Sequence, residues 1–172
     1  TFSILPDLKH STDVAECVHQ NQKGIMLHLP MEPHYNLDHY PDDYIITTVM
    51  KKPKVESIIA HALENVPYVE GVNNHMGSKA TEDTKLMTIV LENLKQNGLF
   101  FIDSFVTNKT VCPAIAKAIQ IPFAHRDVFL DNENERSLIE AQFAKAAQRA
   151  RKKGYVVVIG HDRKLTLDII KE

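Results

Sequence analysis

The sequence predicts a parallel α/β fold, and three observations carry that reading. Short apolar runs alternate with amphipathic stretches along nearly the whole chain, the pattern of a parallel sheet covered by helices. Several runs are continuously apolar, as in strands buried on both faces. Five of them finish on residue types that do chemistry. The run 24–29 carries His28, 69–74 leads to Asn73, Asn74 and His75, and 99–103 ends at Asp103. The run 123–129 carries His125, Arg126 and Asp127, and 155–159 leads into Gly160-His161. Ligands of parallel α/β folds bind just past the carboxyl ends of the strands. Six strands are expected, enough for an open doubly wound sheet or most of a β/α barrel. No Gly-x-Gly-x-x-Gly or Walker-type loop is present, which weakens a nucleotide-binding version.

The elements follow in order. A strand at 1–5 stops at Pro6, and a helix near 12–21 can take Ser11 or Thr12 as N-cap. After the strand 24–29 comes a long irregular stretch, about 30–52, rich in proline; loops of this length inside compact domains tend to be functional. A helix near 54–65 puts Val55, Ile58, Ile59, Ala62 and Leu63 on one face. The strand 69–74 must end at its two asparagines, which are poor strand formers. A helix over 82–97 can be capped by Thr81, carries the stripe Leu86, Met87, Val90, Leu91 and Leu94, and stops at Gly98. The strand 99–103 precedes a short helix at 111–119 with Pro113 in its first turn. A less regular strand at 123–129, a long helix at 133–153 ending at Gly154, the strongly apolar strand 155–159 and a last helix at 164–171 complete the chain.

A chain of 172 residues reads as one domain with a real core. Apolar content of 44%, charged content of 24% and a net charge of −2 are ordinary, so nothing suggests nucleic acid as a partner. No apolar run is long enough to span a membrane, and no signal-peptide pattern is present. The abrupt strand-like opening, Thr1 to Leu5, reads as the start of a fragment. Arg149, Arg151, Lys152 and Lys153 at a helix end are cations meeting the helix dipole. Cys17 and Cys112 are compatible with two thiols or one bridge.

Candidate chemistry gathers at the strand ends. A lone histidine such as His28 on an apolar strand is more often a hydrogen-bonded core residue. The stiff Pro30-Met31-Glu32-Pro33 that follows shifts the balance, because a carboxylate held near an imidazole suits metal ligation or ligand orientation. Gly77-Ser78 makes a turn whose amides could face an anion, or a simple turn. Asp103 is a functional carboxylate or a helix cap. His161 is a general acid or base, or a loop residue beside a helix start. Arg126 with Asp127, and Asp131, are harder to place, since an Arg–Asp pair is often structural. His10, His19, His34, His39 and His61 read as surface residues. Two imidazoles, one or two carboxylates and a separate histidine together make a plausible hydrolytic zinc site.

Five strings carry a resemblance: His28-Leu-Pro-Met-Glu-Pro33, Gly71-Val-Asn-Asn-His-Met-Gly-Ser78, Phe101-Ile-Asp-Ser104, Arg126-Asp-Val-Phe-Leu-Asp131 and Ile159-Gly-His161. In order and spacing the chain resembles the divergent polysaccharide deacetylase family, bacterial relatives of the carbohydrate esterases. The resemblance implies a deformed β/α barrel and a metal-dependent hydrolase that removes acetyl groups from a polysaccharide or amino sugar. It implies zinc, or another divalent cation, on His28 and His75. Glu32, where ordinary deacetylases have His, becomes an additional ligand or a support. Asp103 and His161 take catalytic roles, His161 protonating the leaving group, and Asn73, Asn74 and Arg126 serve the substrate or the ligands. The family's first strand ends in an Asp-Asp pair with no match here; Asp42-Asp43 lies in the proline-rich stretch instead. Residues 1–6 resemble the second strand, so a barrel without its first strand is expected. A secreted or cell-envelope location follows from the family alone. The alternative is a non-catalytic glycan-binding or envelope protein on the same barrel.

Overall fold

The computed structural model describes residues 1–35 and 44–172. His39 and Asp42-Asp43 lie outside the described residues. The chain forms two compact units, Thr1–Ala124 and His125–Glu172.

The first unit is a parallel α/β layer structure. Strands β1 (Phe2–Ile4), β2 (Ile25–Met31), β3 (Gly71–Met76), β4 (Phe100–Asp103) and β5 (Phe123–His125) lie side by side in chain order. Helices α1 (Ser11–Gln20), α2 (Lys52–Asn65), α3 (Thr84–Gln96) and α4 (Cys112–Ile119) connect them. This is the expected fold class, and the five-strand sheet is compatible with a barrel. One face packs on the helices: Ile4, Ile25, Leu27, Leu29, Met31, Val72 and Phe101 join Val55, Ile59, Met87, Val90 and Leu94 in one core. The helical stripes of α2 and α3 fall where their periodicity puts them.

The other face of the sheet holds the polar residues. Pairing sets Met26 beside Gly71, His28 beside Asn73 and Pro30 beside His75. Residues paired in register share a face, so these rows stack along it. Gly71 also pairs with Phe100, whose ring lies over it; a Cβ on Gly71 would sit 2.2 Å from that ring. The Ser3 hydroxyl on β1 reaches the Asn73 side chain on β3, past the intervening β2. In a flat sheet those strands are about 9.6 Å apart, so the sheet curls toward this face.

Several boundaries move, each for a local reason. β2 extends to Met31 because the Ile46 amide donates to Pro30 O and the Glu32 amide to Ile46 O; His28 is therefore mid-strand. β3 runs through both asparagines to Met76, since both are buried and their side chains find partners: Asn73 meets His28 on β2 and Ser104 just past β4, and Asn74 accepts from the Ser104 amide. Tertiary hydrogen bonding outweighs propensity there. Asp83, not Thr81, caps α3 by accepting from the Leu86 amide; Thr81 instead donates to Gly77 O. Neither Ser11 nor Thr12 caps α1; the Ser11 hydroxyl bonds Leu5 O and the Leu8 amide inside the preceding loop. The left-handed turns at Gly98 (φ +72°) and Gly154 (φ +84°) stand where expected.

The second unit pairs β6 (Val128–Phe129) with β7 (Val158–Ile159) in parallel, beside α5 (Arg136–Lys153) and α6 (Lys164–Lys171). Its core is Val128, Leu130, Ile139, Ala146 and Ile169, with Phe143, Val156 and Val158 packed on it. The expected strand 123–129 is thus two short strands in different sheets. The expected buried strand 155–159 is reduced to two half-buried residues, and Tyr155 is exposed. Its hydropathy asks for two flanking strands, whereas among the described residues this ladder has one two-residue partner. The basic end of α5 is tied down as well as facing its dipole: Lys153 pairs with Asp127 at 3.0 Å and Arg149 donates to Asp127 O.

Candidate functional site

In the first unit the curled face brings His28 and His75 together. Their rings meet edge to face, with centroids 4.9 Å apart and His75 Nδ1 3.1 Å from His28 Nε2. Two nitrogen ligands on one tetrahedral zinc are about 3.4 Å apart, close to the 3.1 Å seen here, a distance that also suits a direct hydrogen bond between the two rings. The rest of the expected ligand set does not join them. Among the described residues no group of three or more His, Cys, Asp or Glu side chains is arranged to hold a metal.

Beneath the imidazoles lies a polar net. His28 Nδ1 is 3.0 Å from Asn73 Oδ1, and Asn73 Nδ2 donates to Ser104 Oγ at 3.3 Å. Ser104 Oγ donates to Asn74 O at 2.7 Å, the Ser104 amide donates to Asn74 Oδ1 at 2.8 Å, and Asn74 Nδ2 donates to Met76 O. Asn73 therefore touches an imidazole, while Asn74 braces the backbone where β3 and β4 end.

Glu32 goes elsewhere. Its carboxylate accepts from Lys79 Nζ at 2.6 Å and from both the amide and hydroxyl of Thr48 at 2.7 Å. Burial pushes its pKa up, but the Lys79 ammonium and the Thr48 donors outweigh burial and hold it below the ordinary range. The turn amides after Gly77 are also committed, because Lys79 N and Ala80 N donate to Glu32 O. Asp103 follows Ile102, the partner of Asn73, and so points to the helix-covered face. It is fully buried and accepts from the Phe105 amide and the Thr110 hydroxyl. It braces the loop that follows β4 rather than capping α4, whose N-cap is Val111, and the structure does not bring it to the imidazole pair. The neighbouring Cys112 thiol is pushed up to about 12, by burial first and by the Asp103 charge second. Both cysteines are free thiols, Cys17 exposed and Cys112 buried.

The second unit holds a separate pair. His161 Nδ1 lies 3.0 Å from Asp131 Oδ1, and the His161 amide donates to the same carboxylate. Thr166 Oγ1 donates to Asp131 Oδ2 at 2.7 Å, and Arg163 donates to Asp131 O. Burial raises the Asp131 pKa, but the Thr166 and His161 donors more than offset it and hold it low. Asp131 is fully buried while the His161 side chain is half exposed, so a fixed anion orients an accessible imidazole. Arg126 lies over the Phe129 ring, 5.1 Å from its centroid, and His161 packs on the same ring. Sequence reasoning gave Asp131 no role; the available signal was a carboxylate closing an apolar run, as His161 does. Ser3 and Ser104 left no comparable signal, since serine is common at strand starts and ends.

These features define a class: a parallel α/β protein whose imidazoles and amides gather on the curled face toward the strand ends. Within that class, the chain belongs to the divergent polysaccharide deacetylase family, whose model matches residues 1–172. It is 33% identical to the uncharacterized protein YibQ of Escherichia coli K12, over 100% of this chain and 53% of that protein. It is 35% identical to an uncharacterized protein of Haemophilus influenzae, over 99% of this chain and 60% of that one. The chain thus spans a little over half the length of these curated relatives. A solved structure of an uncharacterized protein from Agrobacterium tumefaciens C58 has the same fold, with a TM-score of 0.93, 18% identity and coverage of 98% of this chain and 68% of that one. No helix among the described residues is long and apolar enough to cross a membrane.

Proposed function

We propose that the protein is a zinc-dependent hydrolase that removes acetyl groups from a cell-envelope polysaccharide or amino sugar. The observation that carries this reading is the approach of His28 and His75 within 3.1 Å on adjacent strands, although they are 47 positions apart in sequence. Family membership supports the substrate class. His28 Nε2 and His75 Nδ1 would hold the ion, which when bound supplies Lewis acidity toward an acyl carbonyl and makes water acidic enough to act near neutral pH. Family resemblance gives His161 the proton-donor role; within the second unit Asp131 accepts its Nδ1–H, so the protonated ring would release its proton from Nε2. The low pKa of Asp131 keeps the anion in place while the imidazole cycles. The test is acetate release from acetylated chito-oligosaccharides and peptidoglycan fragments by the full-length protein with zinc. Release that disappears in His161→Ala and in His28→Ala supports the reading; equal release by wild type and His161→Ala refutes it.

A second reading has its own observation. Glu32, where ordinary deacetylases have His, is locked to Lys79 and Thr48. That favours a glycan-binding envelope protein that does not turn substrate over. Glycan affinity unchanged in His28→Ala and His75→Ala, with no acetate from wild type, would establish it.

A further inference from the structure

We propose that Ser104 is a positioning residue that selects the tautomer of His28 from a distance, acting through the Asn73 amide. The polarity of the net follows from atoms that have no choice. Asn74 O is a main-chain carbonyl and can only accept, so the Ser104 hydroxyl 2.7 Å away must donate to it. A hydroxyl has one proton, so toward Asn73 the Ser104 oxygen can only accept. That turns Nδ2 of Asn73 toward Ser104 and Oδ1 toward His28. The Ser3 hydroxyl donates to the same Oδ1 and reinforces that orientation. An amide oxygen cannot donate, so His28 carries its proton on Nδ1. In the neutral ring Nε2 is then the bare nitrogen, and it is the atom that faces His75.

The direction of one hydrogen bond at the end of β4 is therefore read out two side chains away as the electron pair His28 presents on β2. A serine just past β4, an asparagine on β3 and a histidine on β2 act as one relay, and the serine and asparagine are buried. Its use for metal binding rests on the deacetylase reading; the tautomer itself does not. Ligand histidines commonly donate their second N–H to a fixed acceptor, and loss of such acceptors weakens metal binding by about 10–100-fold.

The experiment is nitrogen NMR of metal-free protein labelled at histidine, at a pH where the rings are neutral, on wild type, Ser104→Ala and Ser104→Thr. Wild-type His28 is expected as one tautomer with Nδ1 protonated and Nε2 bare. Ser104→Ala releases the Asn73 amide to turn, and His28 becomes a mixture of tautomers. Ser104→Thr keeps the hydroxyl and restores the wild-type pattern, which a merely structural role for the side chain would not require. A wild-type ring protonated on Nε2 overturns the proposal without any variant. So does a Ser104→Ala spectrum identical to wild type at His28. Zinc titration of the same samples is expected to show about 10-fold weaker binding in Ser104→Ala. Failure of wild type to bind zinc would sink the deacetylase reading, while the tautomer pattern would still decide the relay.

Discussion

Replacing Asp131 tests how the second unit holds its histidine. The carboxylate is fully buried and receives the His161 amide, the His161 ring and the Thr166 hydroxyl. Asp131→Ala leaves the Thr166 hydroxyl, itself buried, without its acceptor. A stranded buried donor costs about 1–3 kcal/mol. The His161 ring is half exposed and can turn to water, so its share is small. The His161 amide adds a fraction, and the expected total is about 2–4 kcal/mol. Asp131→Asn keeps the shape and one acceptor oxygen, and its new NH₂ can donate to Thr166; about 1–2 kcal/mol is expected. The carboxylate also imposes a pH dependence. Its pKa is depressed in the folded protein, so the stability it gives is fully present above the ordinary carboxylate value and is lost as pH falls through the folded value. Wild type should therefore lose more stability than Asp131→Asn between pH 5 and about 3. Equilibrium urea unfolding followed by circular dichroism measures both. An Asp131→Ala protein within about 0.5 kcal/mol of wild type would refute the reasoning, as would parallel pH profiles for wild type and Asp131→Asn.

Other perturbations follow from the same contacts. Gly71→Ala drives a methyl group into the Phe100 ring and should destabilise by about 1–3 kcal/mol; thermal unfolding should show Phe100→Leu recovering part of the loss. Glu32→Ala removes the acceptor of the Thr48 amide and hydroxyl and should cost about 1–3 kcal/mol in urea unfolding. Lys79→Ala should cost under about 1 kcal/mol, because the Lys79 side chain is 43% exposed and solvent screens the pair. A thiol reagent at pH 8 should label Cys17 at once and Cys112 only on unfolding, because Cys112 is buried and its pKa is raised to about 12.

What the sequence disclosed depended on how far each interaction reaches. The α2 and α3 stripes, the apolar β2 and the left-handed turns at Gly98 and Gly154 are written in nearest neighbours, and they stand where periodicity and turn chemistry put them. Propensity makes Asn73 and Asn74 a strand terminator because it knows nothing of Ser3 on β1 and Ser104 just past β4. The run 155–159 looked like the most buried strand, yet burial of a strand depends on having partners, and its ladder has one short one. In the site, His28 is legible as a polar intrusion into an apolar run and His75 as part of the polar string that follows the next one, and their strands adjoin. The fates of Glu32 and Asp103 were not legible, because one meets a lysine 47 positions away and the other turns to the opposite face by a one-residue alternation.

The clasp at the end of β2 has a consequence for how this chain can vary. The chain leaves the sheet after Met31 and returns beside it at Ile46, where Met31 and Ile46 form a bridge and the amides of Ile46 and Glu32 close two hydrogen bonds. Glu32 then fastens Thr48 and the turn at Lys79 to the same point. Departure and return are thus fastened to each other at Pro30–Glu32 and Ile46, whatever the sequence between them. A change of sequence between the two fastened ends should therefore leave the register of β2, and with it His28, in place.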